Sequence, residues 1–150
     1  MRYLIGITVV LLGIGLFIFT WRIPFTPPYY LVVVVVLTTT IGVVVATSSS
    51  RAFIAGCRAL ILPKYKIDDD ERNKAVELFK LLSKAVVWVS LIVFSLRMFQ
   101  ILLEVSNQVW PTNELVFFLI ANDIKNLIYS PLIALVFFEL TAFVLKYPQK

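Results

Sequence analysis

Four long apolar stretches alternate along the chain with short polar connections and one charged segment. The apolar stretches cover Leu4–Thr20, Tyr29–Thr47, Ala85–Val105 and Leu115–Leu145. At a helical rise of about 1.5 Å per residue, each is long enough to cross the ~30 Å hydrocarbon layer of a membrane. A lone strand in lipid would leave its backbone groups unpaired, so even the valine-rich second stretch is predicted to be helical. The pattern predicts an all-α membrane protein with four transmembrane helices.

Positive charges are concentrated between the second and third apolar stretches. Of the 14 Lys and Arg residues, eight lie within Arg51–Lys84, and Arg2, Lys146 and Lys150 lie at the two ends. Cationic residues flank membrane helices mainly on the cytoplasmic side. We therefore expect cytoplasmic N- and C-termini in a bacterial-type inner (cytoplasmic) membrane. The net charge of +5 then reflects topology and gives no reason to expect nucleic-acid binding.

The apolar pattern divides a single domain into three parts. Residues 1–50 carry transmembrane helices 1 and 2, residues 51–84 form a cytoplasmic helical segment, and residues 85–150 carry helices 3 and 4 with a short cytoplasmic tail. No Gly or Pro occurs between Asp70 and Trp110, so one helix is predicted from about Asp69 through the third span. Spans 3 and 4 are both expected to extend into the cytoplasm.

The composition excludes most site chemistry. The chain is 60% hydrophobic, has one cysteine (Cys57) and contains no histidine. An intramolecular disulfide and an imidazole metal site are therefore excluded. The sequence also lacks a phosphate-binding glycine loop, a nucleophile elbow and a paired-carboxylate site. We expect no enzymatic activity, no cofactor and no metal.

Small residues recur every four positions in the second span, at Thr38, Gly42, Ala46 and Ser50. Residues at this spacing share one helix face, and small side chains there let two helices approach closely. We interpret this face as a helix-packing surface in preference to an ion-lining one.

Charged residues interrupt the third and fourth spans at Arg97, Asp123, Lys125 and Glu139. Such groups are costly in lipid and mark either a pathway or an assembly contact. Arg97 and Asp123 lie at similar distances from the turn between the two spans. We therefore predict an intramembrane charge pair between them, because an unpaired charge would cost far more.

Three short motifs add a family resemblance. Leu37–Gly42 (LTTTIG) is similar to a GGT-x-G turn of helix, matching it at Thr40 and Gly42. Asn126-x-x-Tyr129-Ser130 is similar to a T-x-x-YG motif, with Tyr129 retained. Phe94 and Arg97 stand where the corresponding third-span motif has a threonine and a glycine. In these motifs and in the order of its spans, the chain resembles the MotA/TolQ/ExbB proton-channel family, particularly its short MotA-like members.

The resemblance implies a homo-oligomeric ring, a pentamer, in lipid around a single-span partner that carries an acidic residue. It further implies coupling of proton or sodium entry to partner motion. The residues matching the family's pore positions are Thr40, Phe94, Asn126, Tyr129 and Ser130. A fixed positive charge at Arg97 would raise the barrier to cations, so the resemblance also accommodates a modified or silent channel.

Two other functions stay open on the sequence. A non-conducting membrane scaffold would use the small-residue faces for assembly and have a plugged, apolar centre lined by Phe94. A small transporter would use Arg97, Asp123 and Lys125 as a substrate site, although the chain shows no internal repeat.

Overall fold

The computed structural model describes the backbone of residues 1–20, 28–62, 66–106 and 113–147. Side chains are described for these residues except 17–20, 28–32, 104–105, 113–116, 118–120, 122–123, 126 and 130. The sequence also predicts turns at Pro24, Pro27 and Pro28 and at Pro111, a break at Pro63, and positions at the membrane interface for Trp21 and Trp110. Apart from Pro28, these residues lie outside the described part of the chain.

Five helices make up the described part of the chain, and it contains no strand. They are α1 (Arg2–Thr20), α2 (Pro28–Thr47), α3 (Ser50–Ile61), α4 (Asp69–Ser106) and α5 (Asn113–Lys146). The all-helical prediction is confirmed, and so is the single uninterrupted helix from Asp69 through the third apolar stretch. Pro131 lies inside α5, which continues past it.

Within the described part of the chain, two helices are long and apolar enough to cross a membrane, over Asp69–Leu103 of α4 and Leu127–Lys146 of α5. The corresponding parts of α1 and α2, Arg2–Leu16 and Val33–Thr47, are apolar but shorter within the described side chains. With 38 residues, α4 extends over about 57 Å, well beyond one hydrocarbon layer. Its charged first half must therefore lie outside any membrane that the second half crosses.

Backbone geometry determines where α2 ends. Ser48 has a φ of 54°, the left-handed conformation that commonly terminates helices. The Ser48 N–H donates to the Val45 carbonyl at 3.2 Å, and the Ser49 N–H donates to the Val44 carbonyl at 3.1 Å. These two bonds satisfy carbonyls that the helix end would otherwise leave open. The chain can therefore turn at once into α3.

Acidic residues occupy the first turn of α4, at Asp69, Asp70 and Glu71. They lie where the positive end of the helix dipole favours negative charge. Arg72 pairs with Asp69 at 2.8 Å, and Lys74 donates a hydrogen bond to Asp70. That hydrogen bond, together with the nearby carboxylates, raises the pKa of Lys74. The acidic run thus behaves as a solvated helix start.

A core at one end of the bundle joins α3, α4 and α5. Phe79 of α4 is fully buried, stacks on Phe53 of α3 at 5.5 Å between ring centroids, and packs obliquely on Phe138 of α5 at 6.0 Å. Gly56 of α3 lies directly against the Phe79 ring, where any side chain would clash. The amphipathic α3 is therefore fixed to the long helices by aromatic packing.

Helices α1 and α2 pack antiparallel with close backbone approach. A Cβ added at Gly6 would lie 2.5 Å from the Gly42 carbonyl oxygen and 2.7 Å from the Ala46 Cβ. A Cβ added at Gly13 would collide with the Thr38 side chain. The face of α2 that carries Thr38, Gly42 and Ala46, for which the sequence predicts a packing role, thus lies against another helix. That helix is α1.

We expect Gly6→Leu to destabilise the protein, because the larger side chain forces the two backbones apart. Overpacking of this kind typically costs about 1–3 kcal/mol. Gly15→Leu is the matched control, since nothing lies within 4 Å of a Cβ at Gly15. The midpoint of detergent-induced unfolding measures both. Equal shifts in the two variants would contradict the close contact.

Candidate functional site

Antiparallel packing of α4 and α5 determines the register of the candidate site. The Ser83 hydroxyl of α4 donates to Glu139 Oε1 of α5 at 2.6 Å. About 16–18 Å further along, at 1.5 Å per residue, Phe94 of α4 and Leu127 of α5 line one groove between the two helices. This register places Arg97 level with residues 124 and 125, within one turn of Asp123 along α5.

Polar groups of α4 are buried at the level of residues 124 and 125 of α5. Arg97 is only 6% exposed and is engaged in an interaction. Gln100, three residues later, has a buried Oε1 that accepts no hydrogen bond from the described residues. Buried polar atoms normally have partners. The burial of these two polar side chains therefore favours polar contacts on this face of α4. The side chain of Asp123, the predicted partner of Arg97, lies outside the described residues.

Within the described side chains, the structure does not bring the predicted pore residues together on one surface. Thr40 is half-buried, and its hydroxyl donates to the Val36 carbonyl at 2.8 Å. Phe94 is half-buried in the apolar groove described below. Tyr129 is 55% exposed. The side chains of Asn126 and Ser130 lie outside the described residues, so their pore role stays a prediction.

Two polar side chains of α5 face outward from the bundle. Lys125 is exposed, and its Nζ lies 6.0 Å from the centroid of the Tyr129 ring. A spacing of four residues places both on one helix face. Neighbours on α5, including Ile128 and Ile133, are exposed apolar residues. Among the described side chains, the two polar groups therefore form a patch beside exposed apolar residues.

An apolar groove runs between α4 and α5 and has a volume of about 330 Å³. We call it the α4–α5 groove; the residues that line it include Val87, Leu91, Phe94, Ile128, Leu132 and Leu135. Pro131 is also on its wall. The Ser83–Glu139 hydrogen bond lies next to one end, because Ser83 is one turn from Val87 and Glu139 one turn from Leu135.

The contact between Ser83 and Glu139 was not evident from the sequence. Ser83 is buried (4% exposed) in the amphipathic part of α4, where a serine carries no distinctive signal. Glu139 stood out only as a charge near the end of an apolar stretch. Counting residues from the turn between the two long helices could have placed them level with each other.

No group of three or more potential metal ligands (His, Cys, Asp or Glu) occurs among the described residues. Comparisons with protein-family models, with characterised proteins and with solved structures find no match to this chain. The resemblance to the MotA/TolQ/ExbB family therefore stays a prediction that rests on the short motifs of α2, α4 and α5.

If Arg97 and Asp123 form a pair, their substitutions will be non-additive. We expect Arg97→Leu and Asp123→Asn each to destabilise the protein, and the double variant to lose about 0.5–3 kcal/mol less than their sum. The midpoint of detergent-induced unfolding gives the coupling energy.

The matched control for this cycle is Lys125→Leu combined with Asp123→Asn. Residues two apart on a helix do not face each other, so that cycle should be additive. Additive effects in the Arg97 cycle as well would rule out the pair.

Proposed function

We propose that this protein is a four-span membrane subunit with both termini and α3 on the cytoplasmic side. Large apolar side chains cover the outside of the bundle, among them Leu11 of α1, Trp88 of α4 and Ile133 of α5, each at least 60% exposed. Water would disfavour so large an apolar surface. Only 22% of the apolar window of α4 and 29% of that of α5 are buried, so neither resembles the core helix of a soluble domain.

The exposed patch on α5 is the observation that favours assembly. Glu139 is level with Ser83, where the charged half of α4 gives way to its apolar half. Counted from Glu139, Tyr129 lies about 15 Å and Lys125 about 21 Å into the membrane. An ammonium and a phenol at that depth are unfavourable against acyl chains. They favour a position facing a sister copy or an enclosed helix.

On this basis we propose a MotA-like ring of identical subunits around a single-span partner that carries an acidic residue. Proton or sodium entry would be coupled to motion of the partner. Tyr129 is the motif residue that best supports the proposal, because it is both retained and exposed. Arg97 makes a modified channel part of the same proposal, since its fixed charge opposes cation entry.

A non-conducting scaffold is the second candidate, and the threonines of α2 favour it. Thr38, Thr39 and Thr40 all donate their hydroxyls to carbonyls of their own helix, at 2.7–3.0 Å. Such bonds give each hydroxyl hydrogen an acceptor within its own helix, so the hydroxyl does not donate to an ion pathway. Phe94 lies in an apolar groove, which suits a plugged centre equally well. Ion flux distinguishes the two candidates.

Topology can be tested by cysteine labelling in a Cys57→Ser background. Burial raises the pKa of the Cys57 thiol and lowers its reactivity, but its removal avoids any background signal. We expect a membrane-impermeant maleimide to label Thr112→Cys in intact spheroplasts. Lys66→Cys, at an exposed position before α4, should react only after permeabilisation. Labelling of Lys66→Cys in intact spheroplasts would contradict the orientation, and labelling of both sites from one side would contradict four spans.

The ion-driven proposal is tested by flux into proteoliposomes that contain the affinity-purified complex with any single-span protein it retains. We expect proton or sodium flux, and at least a tenfold loss in Tyr129→Phe if the phenol hydroxyl takes part in transfer, as positioned groups contribute about 10²–10⁴-fold to proton transfer. The Tyr129→Phe variant should have the same copy number as the unaltered complex in native mass spectrometry, because the substitution leaves the ring assembled.

Tyr147→Phe is the matched control, since Tyr147 is exposed to a similar extent (56%) but lies beyond the end of α5. Absence of flux in the unaltered complex, with an intact oligomer, would reject ion drive in favour of the scaffold. A monomer in native mass spectrometry would reject both.

A further inference from the structure

Three lysines lie within about 17 Å beyond the cytoplasmic end of the α4–α5 groove, counted along the helix axes. On α4, Lys80 and Lys84 lie seven and three residues before Val87, a groove-lining residue, and so share its helix face. On α5, Lys146 follows Leu132, another groove residue, by two heptads and lies on the same face. In the register set by Ser83 and Glu139, the three positions fall within about 12 Å along the helix axes.

These lysines are available to a ligand. All three side chains are exposed, and none forms a salt bridge within the described part of the chain. The Nζ of Lys146 lies 5.3 Å from the centroid of the Tyr147 ring. Glu139 is the acidic group nearest the groove end, and it accepts the Ser83 hydrogen bond. Glu77, three residues before Lys80, is also exposed and lies level with Lys146. Three ammonium groups against two carboxylates leave this end of the groove with a net positive charge.

We propose that the α4–α5 groove binds an acyl chain of an anionic phospholipid whose phosphate is held by Lys80, Lys84 and Lys146. The groove volume, about 330 Å³, lies at the low end of the ~300–1,000 Å³ range of small-molecule sites. Its wall is apolar, as an acyl chain requires. Basic clusters between membrane helices on the cytoplasmic side are suited to anionic headgroups.

Charge complementarity favours a lipid over a protein helix at this position. The cationic end and the apolar groove are stacked along one axis, in the order of a phospholipid headgroup and its chain. A second apolar helix would cover the groove but would leave the lysines without anions. The inference rests on the membrane placement proposed above, and it does not depend on ion drive.

Native mass spectrometry of the detergent-purified protein tests the headgroup. The probes are dioleoyl phosphatidylglycerol and dioleoyl phosphatidylcholine, which have identical chains. We expect phosphatidylglycerol to bind at least tenfold more tightly, and its affinity to fall about fivefold for each of Lys80→Gln and Lys84→Gln. Lys125→Gln, the same change at the other end of α5, should have no effect. Equal affinity for the two lipids, or an equal loss in Lys125→Gln, would overturn the proposal.

A second pair of variants tests the groove. Leu132→Trp fills it, whereas Leu140→Trp adds the same side chain at an exposed position of α5 that does not line it. We expect only Leu132→Trp to lower phosphatidylglycerol affinity, by at least fivefold, with the copy number unchanged. A change in copy number without loss of bound lipid would show that a second copy covers the groove, and would overturn the proposal.

Glu139→Gln separates an anionic headgroup from an ammonium-bearing one. Removal of the carboxylate should maintain or increase phosphatidylglycerol binding, because it removes a negative charge near the phosphate. A loss of lipid binding in this variant would indicate recognition of an ammonium headgroup and would contradict the proposal. Native mass spectrometry counts the lipids bound per subunit. A loss of lipid binding is therefore distinguishable from an absence of ion flux or of oligomers.

Discussion

The antiparallel packing of α4 against α5 determines where the polar groups of the second half of the chain lie. One hydrogen bond, from Ser83 to Glu139, and the shared groove between Phe94 and Leu127 set the register of the two helices. From that register follow the depth of Tyr129, the level of Arg97 and the position of the basic groove end. A slip of one turn, about 5.4 Å, would separate Ser83 from its carboxylate and change every one of these relations.

The α1–α2 pair and the packing of α3 against the long helices are held together by different physical interactions. Helices α1 and α2 meet through small residues, and at Gly6 and Gly42 their backbones are in contact. Van der Waals attraction between closely spaced backbones stabilises this pair, in place of interlocking large side chains. Near α3, by contrast, Phe79 packs between Phe53 and Phe138, as in the core of a water-soluble domain. This contrast agrees with a bundle whose α1–α2 pair lies in lipid and whose α3 lies at a membrane surface, where burial of aromatic rings is driven by water.

Helix positions and the small-residue contact could be predicted from the sequence because they depend on local or periodic features. The absence of Gly and Pro after Asp70 predicted the length of α4, and four-residue spacing predicted the face of α2 that meets α1. The Ser83–Glu139 bond and the α4–α5 groove could not be predicted in the same way. They depend on the register and separation of two helices, to which many apolar side chains contribute without any one of them being distinctive. Pore positions depend on contacts beyond a single chain, which periodicity does not encode.

Charge balance in the membrane connects the exposed patch with the proposed partner. The register places Lys125 and Arg97 at the same depth, and Asp123 is the carboxylate nearest them in sequence along α5. Even with Asp123 paired to Arg97, Lys125 would keep its charge about 21 Å from the cytoplasmic end of the span, exposed and stabilised only weakly by the Tyr129 ring. An acidic residue on an enclosed partner helix would neutralise that charge at the depth where lipid cannot. The partner's carboxylate would then stabilise the assembly in addition to any part it takes in ion transfer.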